Sequence, residues 1–199
     1  MRSRNDRLVE RDTVGYGRMV RKIINKIKYL LIRAGVPWED ERFAKDLKRW
    51  RSVLKLEGTD DQVLSHLLAT DKAFRALYRY RLKRRLYRGW VKLLYPPLDS
   101  LYITTADIGG GLFIQHGFST YIAAESIGEN CWINQQVTIG YKDDTRSPVI
   151  GDDVTITCGA KVLGPITIGD RVTIGANAVV VKDLPSDSVW GGVPAKRIR

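Results

Sequence analysis

Residues 150–180 read IGDDVTITCGAKVLGPITIGDRVTIGANAVV, and a single count decides the fold: Ile150, Ile156, Val162, Ile168, Ile174 and Val180 stand six apart. Ile127, Ile133 and Ile139 keep the same spacing upstream. Four positions after an aliphatic comes a small or modest apolar residue, at Cys131, Val137, Val154, Ala160, Ile166, Val172 and Ala178. Glycine often follows the aliphatic directly, as in Ile127-Gly128, Ile150-Gly151, Ile168-Gly169 and Ile174-Gly175. A period of six fits neither a helical face nor a long alternating strand. It fits a short strand plus a tight turn used over and over, three sides to a triangular coil. The aliphatic column then fills the interior, and Gly, Asn and Asp supply turn geometry that other residues resist.

The count fails in two places, where function is expected. Ile139 and Ile150 are eleven residues apart instead of six, so Tyr141–Ser147 must leave the coil as an external loop. Around Ile114–Thr120 the register also slips, and His116 sits in the slip.

Residues 1–100 have a different character. They hold 25 of the 33 basic and 12 of the 22 acidic residues, so the net charge of +11 divides into +13 for residues 1–100 and −2 for 101–199. The spacing of Val20, Ile23, Ile24, Ile27, Leu30 and Leu31 predicts a helix from Arg18 to Ala34, stopped by Gly35 and Pro37. A second helix is expected from Glu39 to Glu57, burying Phe43, Leu47, Trp50 and Leu54. Thr59 and Gln62 form a capping box for a short helix through Leu68. A last helix, capped by Thr70 or Asp71, continues through Phe74, Leu77, Tyr78, Arg81, Leu82 and Leu86 to Leu94, before Pro96-Pro97 breaks it. The expected class is α+β, with an α-helical domain over 1–100 and a β-domain over 101–199.

With 44% hydrophobic and 28% charged residues in 199, the chain can fill a core without disulfides. Cys131 and Cys158 belong to no paired metal or redox motif, and no apolar run approaches a bilayer span. Without an apolar leader at Met1–Asp6, a cytoplasmic location is expected. The basic cluster Arg79, Arg81, Lys83, Arg84, Arg85, Arg88 and Lys92 reads as a solvated helix face. The alternative is attraction to a membrane face or an anionic glycan-linked substrate. No motif for nucleic acid is present.

Four stretches in order carry a resemblance: Gly109–Gly117, Gln136–Gly140, Gly159–Gly164 and Gly192–Lys196. Together they resemble the serine acetyltransferase family, over about residues 74 to 199, with Phe74–Leu77 and Tyr80-Arg81 similar to that family's last helix before the coils. The resemblance implies a left-handed parallel β-helix of hexapeptide repeats, a handedness that the period alone does not give. It implies acetyl-CoA as co-substrate, no metal, and a homotrimer or dimer of trimers that binds acetyl-CoA between neighbouring β-helices.

In this resemblance His116 is the catalytic general base. A neutral imidazole, titrating near about pH 6.5 when unperturbed, can take the proton of an acceptor hydroxyl as that oxygen attacks the thioester. The other histidine, His66, reads as solvent-facing. The family's imidazole-orienting Asp falls at Leu101, so Asp99, two residues earlier on an extended strand, is the expected substitute. The family's second active-site His corresponds to Ser147, Arg146 is retained as an anion-binding residue, and Gln115 replaces an acidic residue. Gly140, Cys158, Gly159 and Ala176 match positions that contact acetyl-CoA, and Lys196 is available for a nucleotide phosphate.

These departures leave the small hydroxyl acceptor open between L-serine and a saccharide of capsule or lipopolysaccharide assembly. The chain stops directly after Gly192–Lys196, so no complex with cysteine synthase is expected. A zinc carbonic anhydrase of the same β-helix type needs three histidines, and His116 is the only one beyond residue 100. A non-catalytic scaffold is the remaining reading from another class.

Overall fold

In the computed structural model, which describes residues 4–142 and 146–199, and side chains from residue 17 onward except at 18, the repeats close into triangular coils. One face stacks Leu101–Ile103, Thr120–Ile122, Thr138–Gly140, Lys161–Leu163 and Val179–Val180 as parallel strands. A second stacks Asp107–Ile108, Ser126–Ile127, Val149–Ile150 and Thr167–Ile168. The third stacks Phe113–Ile114, Trp132–Ile133, Thr155–Ile156, Thr173–Ile174 and Val189–Gly191. About five turns result, consistent with the left-handed β-helix expected. Lys196–Arg197 pairs antiparallel on Val189–Gly191.

Every aliphatic of the six-residue count from Ile127 to Val180 is buried, as are the small residues at the intermediate positions. In-register pairs such as Ile133↔Ile156 and Ile156↔Ile174 make the interior a ladder of like side chains. The external loop leaves between the strands Thr138–Gly140 and Val149–Ile150, where the count breaks. Asp143, Asp144 and Thr145 of that loop lie outside the described residues.

Five α-helices precede the coils among the described residues: α1 Arg4–Ile32, α2 Glu41–Val53, α3 Asp60–Thr70, α4 Lys72–Arg81 and α5 Arg85–Leu94. The chain divides into two compact units, Met1–Val36 and Pro37–Arg199. In the first, α1 starts earlier than expected, and its stripe of Ile23, Ile24, Ile27, Leu30 and Leu31 is exposed instead of buried. Among the described residues the other element of that unit is a three-residue 3-10 turn, Arg33–Gly35, too short to cover the stripe.

In the second unit, α2 is capped by Asp40, whose side chain accepts from the Phe43 N–H, and it ends four residues sooner than expected. Lys55 adopts a left-handed φ of 52°, and Leu56 N–H donates back to the Arg51 carbonyl, so Leu54 is left exposed. The Thr59/Gln62 capping box forms as predicted. The expected last helix is instead two, with Asp71 capping α4 and an extended Leu82 between α4 and α5. No proline or glycine marks that break. Leu82 is buried and Arg81 is anchored, so tertiary contacts override helix propensity there.

The anchor is a buried ion pair. Arg81 donates to both Asp46 oxygens, at 2.7 and 3.2 Å, and to the carbonyls of Ile108 and Gly109. Asp46 Oδ1 also accepts from the Gly111 and Leu112 N–H groups at 2.8 and 3.0 Å. Burial pushes the Asp46 carboxyl above the usual range, against the pull of the guanidinium and the two amides. Beside it, Trp50 donates Nε1–H to the Leu112 carbonyl and packs on Phe74 and Phe113. Gly110 admits this approach: a Cβ there would stand 2.7 Å from Cβ of Lys45 on α2.

Candidate active site

His116 occupies the corner between the third and first faces. Six residues, 115–120, lie between Ile114 and Tyr121, whereas four, 134–137, lie between their partners Ile133 and Thr138 in the next coil. The slip is therefore a two-residue bulge. It is built with left-handed backbone at His116 (φ 63°), Gly117 (φ 68°) and Ser119 (φ 52°). Left-handed histidine is uncommon, and such conformations gather at functional sites. Under the bulge, Ile114, Ala73 and Leu101 crowd the place of a side chain at Gly117, with Ile114 nearest at 2.9 Å. The imidazole is exposed and has no hydrogen-bond partner among the described residues.

Gln115, next to it, is held in the coil by its N–H to the Ile133 carbonyl, and its Oε1 accepts from Asn134 Nδ2 at 3.3 Å. Along the same corner, coil by coil, follow Asn134–Val137, then Thr157–Ala160 with Cys158 and Gly159, then Gly175–Ala178 with Ala176. His116, Gln115, Cys158, Gly159 and Ala176 thus share one edge of the β-helix. Gln135 on this edge was missed from sequence. Its Oε1 is shielded from solvent and unpartnered among the described residues, and the only sequence signal is the amide run Asn134-Gln135-Gln136 at a turn.

The other expected residues lie elsewhere. Gly140 ends a strand of the first face and Arg146 and Ser147 follow it, whereas His116 precedes that face, so the width of the face separates them from His116 within one chain. Gly140 has nothing within 4 Å of where a Cβ would stand. Lys196 is exposed on the final antiparallel strand, opposite Gly191. His66 is exposed on α3, as expected.

Asp99 departs from the geometry assumed for it. It lies in a turn, closed by Leu101 N–H to the Leu98 carbonyl, and not on an extended strand, because the first strand begins only at Leu101. That turn stacks on the His116 bulge through Thr120 N–H to the Ser100 carbonyl. Yet no hydrogen bond or ion pair joins Asp99 to His116 among the described residues.

The two cysteines differ. Cys131 is buried, donates to the Gly151 carbonyl at 3.2 Å, and has its thiol pushed up to about 12 by burial. Cys158 is half-exposed at the His116 edge. Iodoacetamide at neutral pH is expected to label Cys158 and spare Cys131, as peptide mass mapping would read directly. Labelling of both at similar rates would contradict this packing. Among the described residues no helix is long and apolar enough to cross a membrane, and no group of three His, Cys, Asp or Glu could hold a metal.

The profile of the bacterial transferase hexapeptide family (six repeats) matches residues 147–182. A serine acetyltransferase of Staphylococcus aureus strain Mu50 is 45% identical over 168 residues, covering 77% of this chain and 79% of the relative. One from Helicobacter pylori strain J99 is 41% identical over 136 residues, 62% of this chain and 79% of the relative. The Neisseria gonorrhoeae serine acetyltransferase solved in complex with serine superposes with a TM-score of 0.61 at 30% identity, covering 84% of this chain and 69% of that one. That from Brucella abortus gives 0.65 at 26% identity, covering 85% and 72%.

Proposed function

The chain belongs to the serine acetyltransferase family, and on that premise we propose that it transfers the acetyl group of acetyl-CoA to the hydroxyl of L-serine with His116 as general base. The observation that carries this reading is the two-residue bulge, which presents an exposed imidazole at the corner of an otherwise regular coil. His116 takes the hydroxyl proton while the oxygen attacks the thioester carbonyl. The tetrahedral intermediate collapses with loss of the CoA thiolate, which recovers the proton from the imidazolium. The products are the acetyl ester and free CoA, and no acyl-enzyme forms.

The separation of Arg146 and Ser147 from His116 within one chain supports an oligomeric site. A cleft between neighbouring copies would bring the loop of one copy to the His116 edge of the next. A homotrimer, alone or paired with another, meets that need. Arg146 then binds the carboxylate of the acceptor.

Acetyl-CoA lies along the same cleft, over Cys158, Gly159 and Ala176 on one copy and Gly140 on the other. Gly140 offers a test that separates binding from folding. Gly140→Val fills open space, so its Tm is expected to match the wild type while KM for acetyl-CoA rises about tenfold or more. An unchanged KM would remove Gly140 from the acetyl-CoA site. Acetyl-CoA is likewise expected to protect Cys158 from iodoacetamide.

A second reading, transfer to a saccharide hydroxyl, is favoured by Leu101, a buried apolar residue where the family places its orienting acid, and by Gln115 and Ser147. Peripheral association with an anionic membrane fits that reading. Leu86, Trp90 and Leu93 are exposed on α5, a helix whose charged residues are all basic.

A further inference from the structure

The basic cluster of residues 79–92 does not stay together in the folded chain. Arg81 is consumed by the pair with Asp46, and Lys83 lies 3.5 Å from Asp40. Arg79 from α4 and Arg88 and Lys92 from α5 converge instead on a recess of about 350 Å³, closed below by residues 97–104. Tyr80 and Tyr102 flank it, and Asp99 is the single acid on its wall.

None of the three cations has a counter-ion within ion-pair distance among the described residues, Asp99 included. Arg79 is the telling one: its Nε is shielded from solvent and has no hydrogen-bond partner. Burial, and then the nearby Arg88 guanidinium, hold Arg79 below the ordinary arginine range. Two residues away, the buried Arg81 is saturated by a carboxylate and two carbonyls. A half-buried guanidinium whose shielded Nε–H lacks an acceptor, and which faces another cation, gains a partner if an anion enters.

We propose that the recess between α4, α5 and the first coil is a binding site for a phosphomonoester, with Arg79, Arg88 and Lys92 as its ligands. The charge balance selects this group. Three cations less Asp99 leave +2, which matches the roughly −1.5 to −2 of a phosphomonoester at neutral pH and exceeds the single charge of a carboxylate. Guanidinium groups present paired N–H donors to phosphate oxygens, and Lys92 adds a point charge. The recess is larger than a phosphate alone, and the two tyrosine rings offer surface to an attached polar group. His116 does not line the recess, although Asp99 and Leu101 do.

Calorimetric titration of the full-length protein with inorganic phosphate and with ribose 5-phosphate tests the soluble source. Co-sedimentation with phosphatidylcholine vesicles, with and without phosphatidic acid, tests a lipid headgroup as the source of the same chemistry. Saturable binding in either arm, weakened about tenfold or more in Arg79→Gln/Arg88→Gln and about threefold in Lys92→Gln, is the expected result. Asp99→Asn should tighten binding, since it removes the one negative charge of the wall. Arg79→Gln should leave the Tm of the ligand-free protein unchanged or raise it, whereas an arginine kept only for packing would lower it. Lys92 is exposed, so its variant is expected to keep the wild-type Tm, as a thermal melt would check. The proposal is overturned if neither arm shows binding, or if the variants bind as the wild type does.

Discussion

Replacing His116 with alanine is expected to lower kcat for acetyl transfer by about 10²–10⁴-fold, the contribution typical of a positioned general base. KM for acetyl-CoA should hardly move, because the residues proposed to hold it lie on later coils. Stability should also hold, since the imidazole is exposed and makes no hydrogen bond to the described residues. The backbone at His116 is left-handed, which asparagine tolerates better than alanine. His116→Asn therefore separates loss of the base from any strain at the bulge, and it should be as inactive as alanine. Steady-state rates and thermal melts of the two variants give the comparison. Activity retained by either one removes His116 from the proton transfer.

The second large effect is on folding. Asp46→Ala is expected to cost about 3–5 kcal/mol, seen as a lower midpoint in urea denaturation. It leaves the Arg81 guanidinium buried without its carboxylate, and it strips the Gly111 and Leu112 N–H groups of their acceptor. Arg81→Met should be comparably damaging, because the Asp46 carboxylate would then be buried without a cation. The double variant Asp46→Leu/Arg81→Met should recover part of the loss, since an apolar pair replaces both charges. Simple addition of the two single losses would argue against direct coupling. Residues 111–112 run straight into the strand Phe113–Ile114 that ends at the His116 bulge, so the single variants should also reduce activity beyond what their folded fraction explains.

The coils were legible because a column of identical environments demands identical residue types. Each aliphatic of the count proved buried, and both breaks in the period mark departures from the regular coil. The helical segment was legible only where local chemistry decides, as at the Thr59/Gln62 capping box. It misled where tertiary contacts decide. Helical spacing cannot show that the stripe of α1 stays exposed, nor that Leu82 is drawn out of helix between α4 and α5. Arg81 looked like one more surface cation, because sequence cannot reveal that Asp46, thirty-five positions away, faces it.

The site divides in the same way. The resemblance singles out His116, Cys158, Gly159 and Ala176, and the structure brings them to one edge because one corner slot recurs in each coil. Strand alternation, the ground for expecting Asp99, does not reach that residue, because the first strand starts two residues later, at Leu101. The amide run 134–136 and the unpaired cations of the α4/α5 recess became visible only through burial and missing partners.

The most direct test is the release of free CoA thiol from acetyl-CoA by the purified protein as L-serine is varied, beside parallel reactions with mono- and disaccharides. Saturable release that depends on L-serine and falls by about 10²–10⁴-fold in His116→Ala is the expected result. A rate that stays at the acceptor-free level at every L-serine concentration would contradict it.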